Sequence, residues 1–173
     1  TLGFMMVSRV CVRHEPVRWK VSHVEQGKVD ELRRSFADEI REKVPHAASW
    51  IWDAFRVVPR HLFIEQYYEQ KEGRFSRVAV NAEAPSPDFL KLVYSDSGLM
   101  ISEMRNHSAA SQPALVVGML HHLDLEEGLK VLEIGTGSGW NAALMAFGVG
   151  GGDLVFSVDL QKDLVDEAHR HLL

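Results

Sequence analysis

Val131-Leu-Glu-Ile-Gly-Thr-Gly-Ser-Gly-Trp140 decides how this chain folds. The apolar start reads as a short buried strand, the alternating Gly135, Gly137 and Gly139 as a sharp turn, and Trp140 onward to about Phe147 as a helix. Glycines at these positions let a ligand approach the main chain without meeting a Cβ. The helix start then aims its free amides over the same turn. A second apolar run, Leu154-Val-Phe-Ser-Val-Asp159, follows that helix and ends in a carboxylate. An acid at the end of the second strand of a βαβ unit suits the two hydroxyls of a ribose, so Asp159 is a candidate cofactor ligand.

The spacing bears on which nucleoside cofactor is meant. A dinucleotide fingerprint needs a small third residue; counting from Gly135 or Gly137 puts Trp140 or Ala142 there. The second register is allowed, so NAD stays open by count. The extra glycine and the preceding Glu133 fit S-adenosylmethionine better, because its amino acid moiety needs close backbone approach and carries no pyrophosphate. Glu133, Gly135, Thr136, Gly137, Gly139 and Asp159 form the expected cofactor set. No G-x-x-x-x-G-K-[ST] occurs.

Composition narrows the class. The 173 residues are 46% hydrophobic and 25% charged, ordinary globular usage. With a net charge of −5 and no long basic run, nucleic acid is not an expected partner. The single cysteine, Cys11, makes no internal disulfide and suits a reducing, cytoplasmic setting. No apolar run approaches the ~20 residues that span a bilayer, so no membrane role is expected. The start lacks a basic segment and is a poor signal peptide. It also lacks an initiator methionine, with Met5 and Met6 the nearest, which leaves open whether residues 1–12 are native.

Further upstream the character is helical. Val29, Leu32, Phe36, Ile40 and Val44 recur on one helical face, and Pro45 ends the helix. A shorter helix, Trp50 to Val57, stops before Pro59. Lys71 to Arg77 reads as a polar loop before a strand-like run to Val80, Ala84-Pro-Ser-Pro87 as a linker, and Tyr94 to Gly98 as a turn. Gln112-Pro113 to Leu120 reads as an amphipathic helix with proline in its first turn. These readings give an N-terminal helical cap, residues 1–106, ahead of an α/β cofactor domain, residues 107–173.

In this order, Val58-Pro-Arg-His-Leu-Phe63, Tyr94-Ser-Asp96, Ser111-Gln-Pro113 and the glycine stretch resemble the motifs of the protein L-isoaspartate O-methyltransferases, from about residue 50 to 170. The resemblance implies a Rossmann-like methyltransferase fold, S-adenosylmethionine as methyl donor and a carboxylate of a protein or peptide as acceptor. It also implies that Ser111, the serine of the family's T-I-S-Q-P motif, contacts that carboxylate. From the residues alone, Ser111 reads first as a helix N-cap with no catalytic part, and it is the resemblance that brings the two readings level. Ala109-Ala110 replaces the family's Thr-Ile, and Asn106-His-Ser108 replaces a glycine-containing lead-in. That leaves two acceptors: isoaspartate in damaged proteins, or aspartate in a peptide natural-product precursor. A non-catalytic nucleoside-binding fragment and an NAD-linked oxidoreductase are the readings from other classes.

Other residues carry less. His121 and His122 are adjacent and His169 and His171 two apart, so neither pair is expected to hold one metal ion, and no metal is expected. Arg60 and His61 are expected to fix the packing of the cap, with a role in acceptor binding left open, and Trp50 and Trp52 are expected to make packing contacts. The sequence ends at Leu173, soon after the second apolar run, whereas a doubly wound sheet continues past its second strand. The expectation is a C-terminally truncated first half of the domain, with one edge of the 131–134 strand open unless the N-terminal segment or another chain pairs with it. Weak cofactor binding and poor turnover are expected of these residues alone.

Overall fold

The computed structural model describes residues 6–9, 23–103 and 108–172. Cys11, Asn106 and His107 lie outside the described residues, as does most of the 1–12 stretch. Strand β1 (Met6–Arg9) precedes α1 (His23–Lys43) and α2 (Ser49–Val57). A 3-10 turn (Arg60–Phe63) leads to β2 (Gln66–Lys71) and β3 (Arg74–Ala79), then α3 (Pro87–Val93). Two short strands, β4 (Leu99–Met100) and β5 (Ala109–Ala110), come before α4 (Pro113–Leu123). The rest is β6 (Val131–Ile134), α5 (Trp140–Val149), β7 (Val155–Asp159) and α6 (Lys162–Leu172).

The expected βαβ unit is present: β6 and β7 pair in parallel across α5. β1 adds antiparallel to the far side of β7, giving the order β1-β7-β6. The N-terminal segment thus supplies a neighbour to the second strand and leaves β6 at the edge of the described sheet. β6 departs from the buried strand expected of its sequence. Val131 and Glu133 face inward, while Leu132 and Ile134 are 62% and 80% exposed. The described elements cover only one face of β6, so only alternate residues are buried.

One apolar core runs from Val29 to Leu172, across the boundary drawn at residue 106. Phe36 stacks on Phe55, and Phe55 meets Trp140 edge-on at 5.1 Å, carrying α1 and α2 onto the start of α5. Trp50 lies against Gly148, where a Cβ would come within 2.8 Å of the indole, so α2 and α5 touch closely because that residue has no side chain.

Two expectations for the middle of the chain are corrected. Lys71 to Arg77 is not a loop: Lys71 and Arg74 are paired across a tight turn in the β2–β3 hairpin. Glu72 and Gly73 both have positive φ, 52° and 77°, the conformation such hairpin turns require. The Ala84–Pro87 linker ends in a helix start. The Ser86 hydroxyl accepts from the Phe89 amide, and Pro87 occupies the first turn of α3. Among the described residues no helix is long and apolar enough to cross a membrane.

Candidate functional site

The glycine turn and α4 face one another across a cleft of about 280 Å³. It is lined by Ala109, Ala110 and Ser111, by Glu133 to Ser138, Trp140 and Asn141, and by Val116 and Met119 from α4. Of the residues singled out from sequence, Ser111, Glu133, Gly135, Thr136 and Gly137 meet here.

The three glycines divide by role. All have positive φ, at 97°, 51° and 85° for Gly135, Gly137 and Gly139. A Cβ on Gly135 would meet nothing within 4 Å, so its face of the turn is open to a ligand. Gly139 does something else. A Cβ there would lie 2.9 Å from the Ala168 Cβ, so this glycine admits α6 against the start of α5 and is not part of the cleft wall. Asp159 also stands outside the cleft wall. Its Oδ2 accepts from the Gly137 amide at 3.2 Å and its Oδ1 from the Gln161 amide at 3.0 Å. A carboxylate offers about four acceptor sites, so each oxygen keeps one for a further donor.

Glu133 is the electrostatic centre. Its Oε2 accepts from the Ser157 hydroxyl at 2.5 Å and its Oε1 from Asn141 Nδ2 at 2.8 Å. Since Ser157 donates to Glu133, Thr136 donates in turn to Ser157, at 2.8 Å. Burial drives the carboxyl up to about 7 from an ordinary 4.5; the bonds from Ser157 and Asn141 pull the other way, and the charge of Asp159 adds to the rise. Asn141 Oδ1 and Trp140 Nε1 are buried with no partner among the described residues. Unpaired groups of this kind are costly unless a ligand completes them.

Ser111 is exposed and sits one residue before the α4 N-cap, a position held by Gln112. The N-cap reading of Ser111 is therefore set aside. Capping comes from a distance instead: Asp96 Oδ1 accepts from the Ala114 amide at 2.9 Å, and Lys43 and Gln112 hold its other oxygen. Sequence reasoning treated 94–98 as a turn and missed this role, for which Tyr94-Ser-Asp96 was the available signal. His61 is buried against Tyr94 at 2.7 Å, and burial lowers its pKa to about 4.

A different group of metal-ligand types was also unforeseen. Glu65, Glu167 and His171 bring one atom each within 4.8 Å of one another. Arg170 already binds both oxygens of Glu65, and His171 Nδ1 bonds the Ser138 carbonyl at 3.0 Å.

The profile of the protein-L-isoaspartate(D-aspartate) O-methyltransferase family matches residues 75–173. Protein-L-isoaspartate O-methyltransferase 1 of Archaeoglobus fulgidus is 34% identical over 143 residues, 83% of this chain and 55% of that one. Protein-L-isoaspartate O-methyltransferase of Pyrococcus horikoshii is 37% identical over 119 residues, 69% of this chain and 42% of that one. A solved structure of a protein-L-isoaspartate O-methyltransferase superposes with a TM-score of 0.62 at 28% identity, covering 81% of this chain and 38% of the other. The shared fold is the Rossmann-like methyltransferase fold. The chain spans about half the length of the curated relatives it matches.

Proposed function

Because the chain belongs to the protein-L-isoaspartate(D-aspartate) O-methyltransferase family, we propose that it binds S-adenosylmethionine over the glycine turn and methylates the side-chain carboxylate of isoaspartyl residues in proteins. The observation that carries this reading is the meeting of two features in one cleft. Glu133 and the unpaired Asn141 Oδ1 offer acceptors for an ammonium group, and Ser111 lines the same cleft. The open Cβ position of Gly135 leaves room for close main-chain approach.

When bound, the cofactor supplies a methyl group carried on a sulfonium. The chain's own residues hold and align. Glu133 and Asn141 would hold the amino acid moiety, and the free acceptor sites of Asp159 would suit ribose hydroxyls. The Ser111 hydroxyl would donate to one oxygen of the acceptor carboxylate and leave the other free to take the methyl group, the carbon–sulfur bond breaking as the oxygen–carbon bond forms and S-adenosylhomocysteine leaving with the electron pair. A carboxylate with a pKa near ~3.9 is ionised at pH 7, so no general base is required. Val116, Met119 and Trp140 give the cleft apolar walls that exclude water. A cytoplasmic setting accords with the single cysteine.

Titration calorimetry with S-adenosylhomocysteine and NADH tests the cofactor. Saturable binding of the first and none of the second is expected; NADH binding would turn the reading toward an oxidoreductase. Paired peptides carrying isoaspartate or aspartate at one position test the acceptor. Transfer confined to the aspartyl peptide would favour the biosynthetic alternative raised by Ala109-Ala110.

A further inference from the structure

Arg60 is fully buried and meets main-chain carbonyls in place of a carboxylate. Its Nη1 donates to the Val93 and Ser95 carbonyls at 2.9 and 3.3 Å, and its Nη2 to the Ser97 and Ser111 carbonyls, each at 3.0 Å. Its guanidinium carbon lies 5.0 Å from the centre of the Trp140 ring. Burial lowers its pKa to about 10, which still leaves it a cation at neutral pH. Among the described residues no acid pairs with it; Asp96, whose charge favours its charged form, is engaged by Ala114, Gln112 and Lys43.

The four carbonyls belong to the end of α3, the 94–98 turn and the residue just before the α4 N-cap. Trp140 begins α5 directly after the glycine turn. Ser111 and Trp140 both line the cleft, and one cation touches both. A buried cation left with four carbonyl dipoles costs desolvation, which the bonds and the ring face offset. Arginine suits this better than lysine, because a flat fork with five donors can bond several carbonyls and still lie on an indole.

We infer that Arg60 is the positioning residue of the cleft: it fixes the Ser111 segment against Trp140 and so sets where an acceptor carboxylate sits. This inference rests on the methyltransferase reading for its consequence in turnover, but not for its physical basis.

The test compares the wild-type chain with Arg60→Lys, which retains the charge. Hydrogen exchange at Tyr94, Ser95, Ala114 and Val116 is expected to speed up about tenfold or more on losing carbonyl anchors, with α2 and the β2–β3 hairpin unchanged. The acceptor KM is expected to rise about tenfold, while affinity for S-adenosylhomocysteine moves less than about threefold. Unchanged exchange at those amides, or a uniform rise through the whole chain, would overturn the inference. If Arg60→Lys does not fold, exchange of the wild type at graded urea decides. The amides of Tyr94, Ser95, Ala114 and Val116 must then open together with one denaturant dependence, and separate openings reject a common clamp. A wild-type chain that binds NADH and not S-adenosylhomocysteine would sink the methyltransferase reading, and the exchange comparison would still decide on Arg60.

Discussion

Gly139→Ala is expected to lower the unfolding free energy by about 2–4 kcal/mol, from left-handed backbone strain plus overpacking. The Cβ would stand 2.9 Å from the Ala168 Cβ and 3.2 Å from Leu172 Cδ1. Backbone φ there is 85°, so strain and collision act together. Neither neighbour yields easily, because Ala168 and Leu172 are 1% and 2% exposed and belong to the main core. For a chain of this size the loss corresponds to a drop of roughly 5–15 °C in melting temperature. Gly135→Ala is the contrasting experiment. It also has positive φ, 97°, but its Cβ would meet nothing within 4 Å. It should lose only about 1–2 kcal/mol of stability from strain. Its affinity for S-adenosylhomocysteine should fall at least about tenfold, because the new methyl group occupies the approach to the main chain. Equal stability losses in the two variants would mean that the turn's glycines do not divide between packing and binding.

How much of this was legible in the sequence follows from where each signal originates. The β6–α5–β7 unit is local. Glycines that need positive φ, an apolar run on each side and a terminal acid all fall within one short stretch, Val131 to Asp159, and the structure keeps that order. The helix α1 was legible because its apolar face repeats with the helical period. The β2–β3 hairpin was not, because β3 is exposed along almost its whole length and its polar residues leave no alternating pattern. Its one signal, Glu72-Gly73, is a turn cue that composition outweighed. The division of labour within the glycine motif was also hidden. Only the approach of Ala168 and Leu172 from α6, a contact distant in sequence, separates Gly139 from Gly135. Arg60 and Asp96 were invisible as a pair of anchors because the carbonyls that Arg60 binds and the Ala114 amide that Asp96 caps are main-chain groups, which every sequence possesses. The family resemblance pointed to Val58–Phe63 and to Tyr94–Asp96 without saying that the two meet at the start of α4.

Glu133→Gln should raise stability and weaken cofactor binding at the same pH, a pairing that a purely structural residue does not produce. The Glu133 carboxyl titrates at about 7 in the folded chain and would titrate at an ordinary 4.5 when unfolded. Between those values the folded chain holds the extra proton, so stability falls as pH rises from about 4.5 to about 7 and then levels off. A shift of this size is a penalty of about 3 kcal/mol above pH 7, at about 1.36 kcal/mol per unit. The amide introduced by the substitution carries no charge to desolvate, so the variant should escape much of that penalty at pH 8 and gain little at pH 5. Binding runs the other way. The ammonium of S-adenosylhomocysteine is attracted by an ionised Glu133, so wild-type affinity should climb through pH 7 with proton release, whereas Glu133→Gln should bind at least about tenfold more weakly at pH 8. Urea denaturation and calorimetric titration at pH 5.5 and 8 give the two curves. A variant that loses stability and affinity together would identify Glu133 as a packing group held by Ser157 and Asn141. Opposite signs would mean that the chain retains a destabilising buried charge because the cofactor needs it, the usual trade between folding stability and function at a binding site.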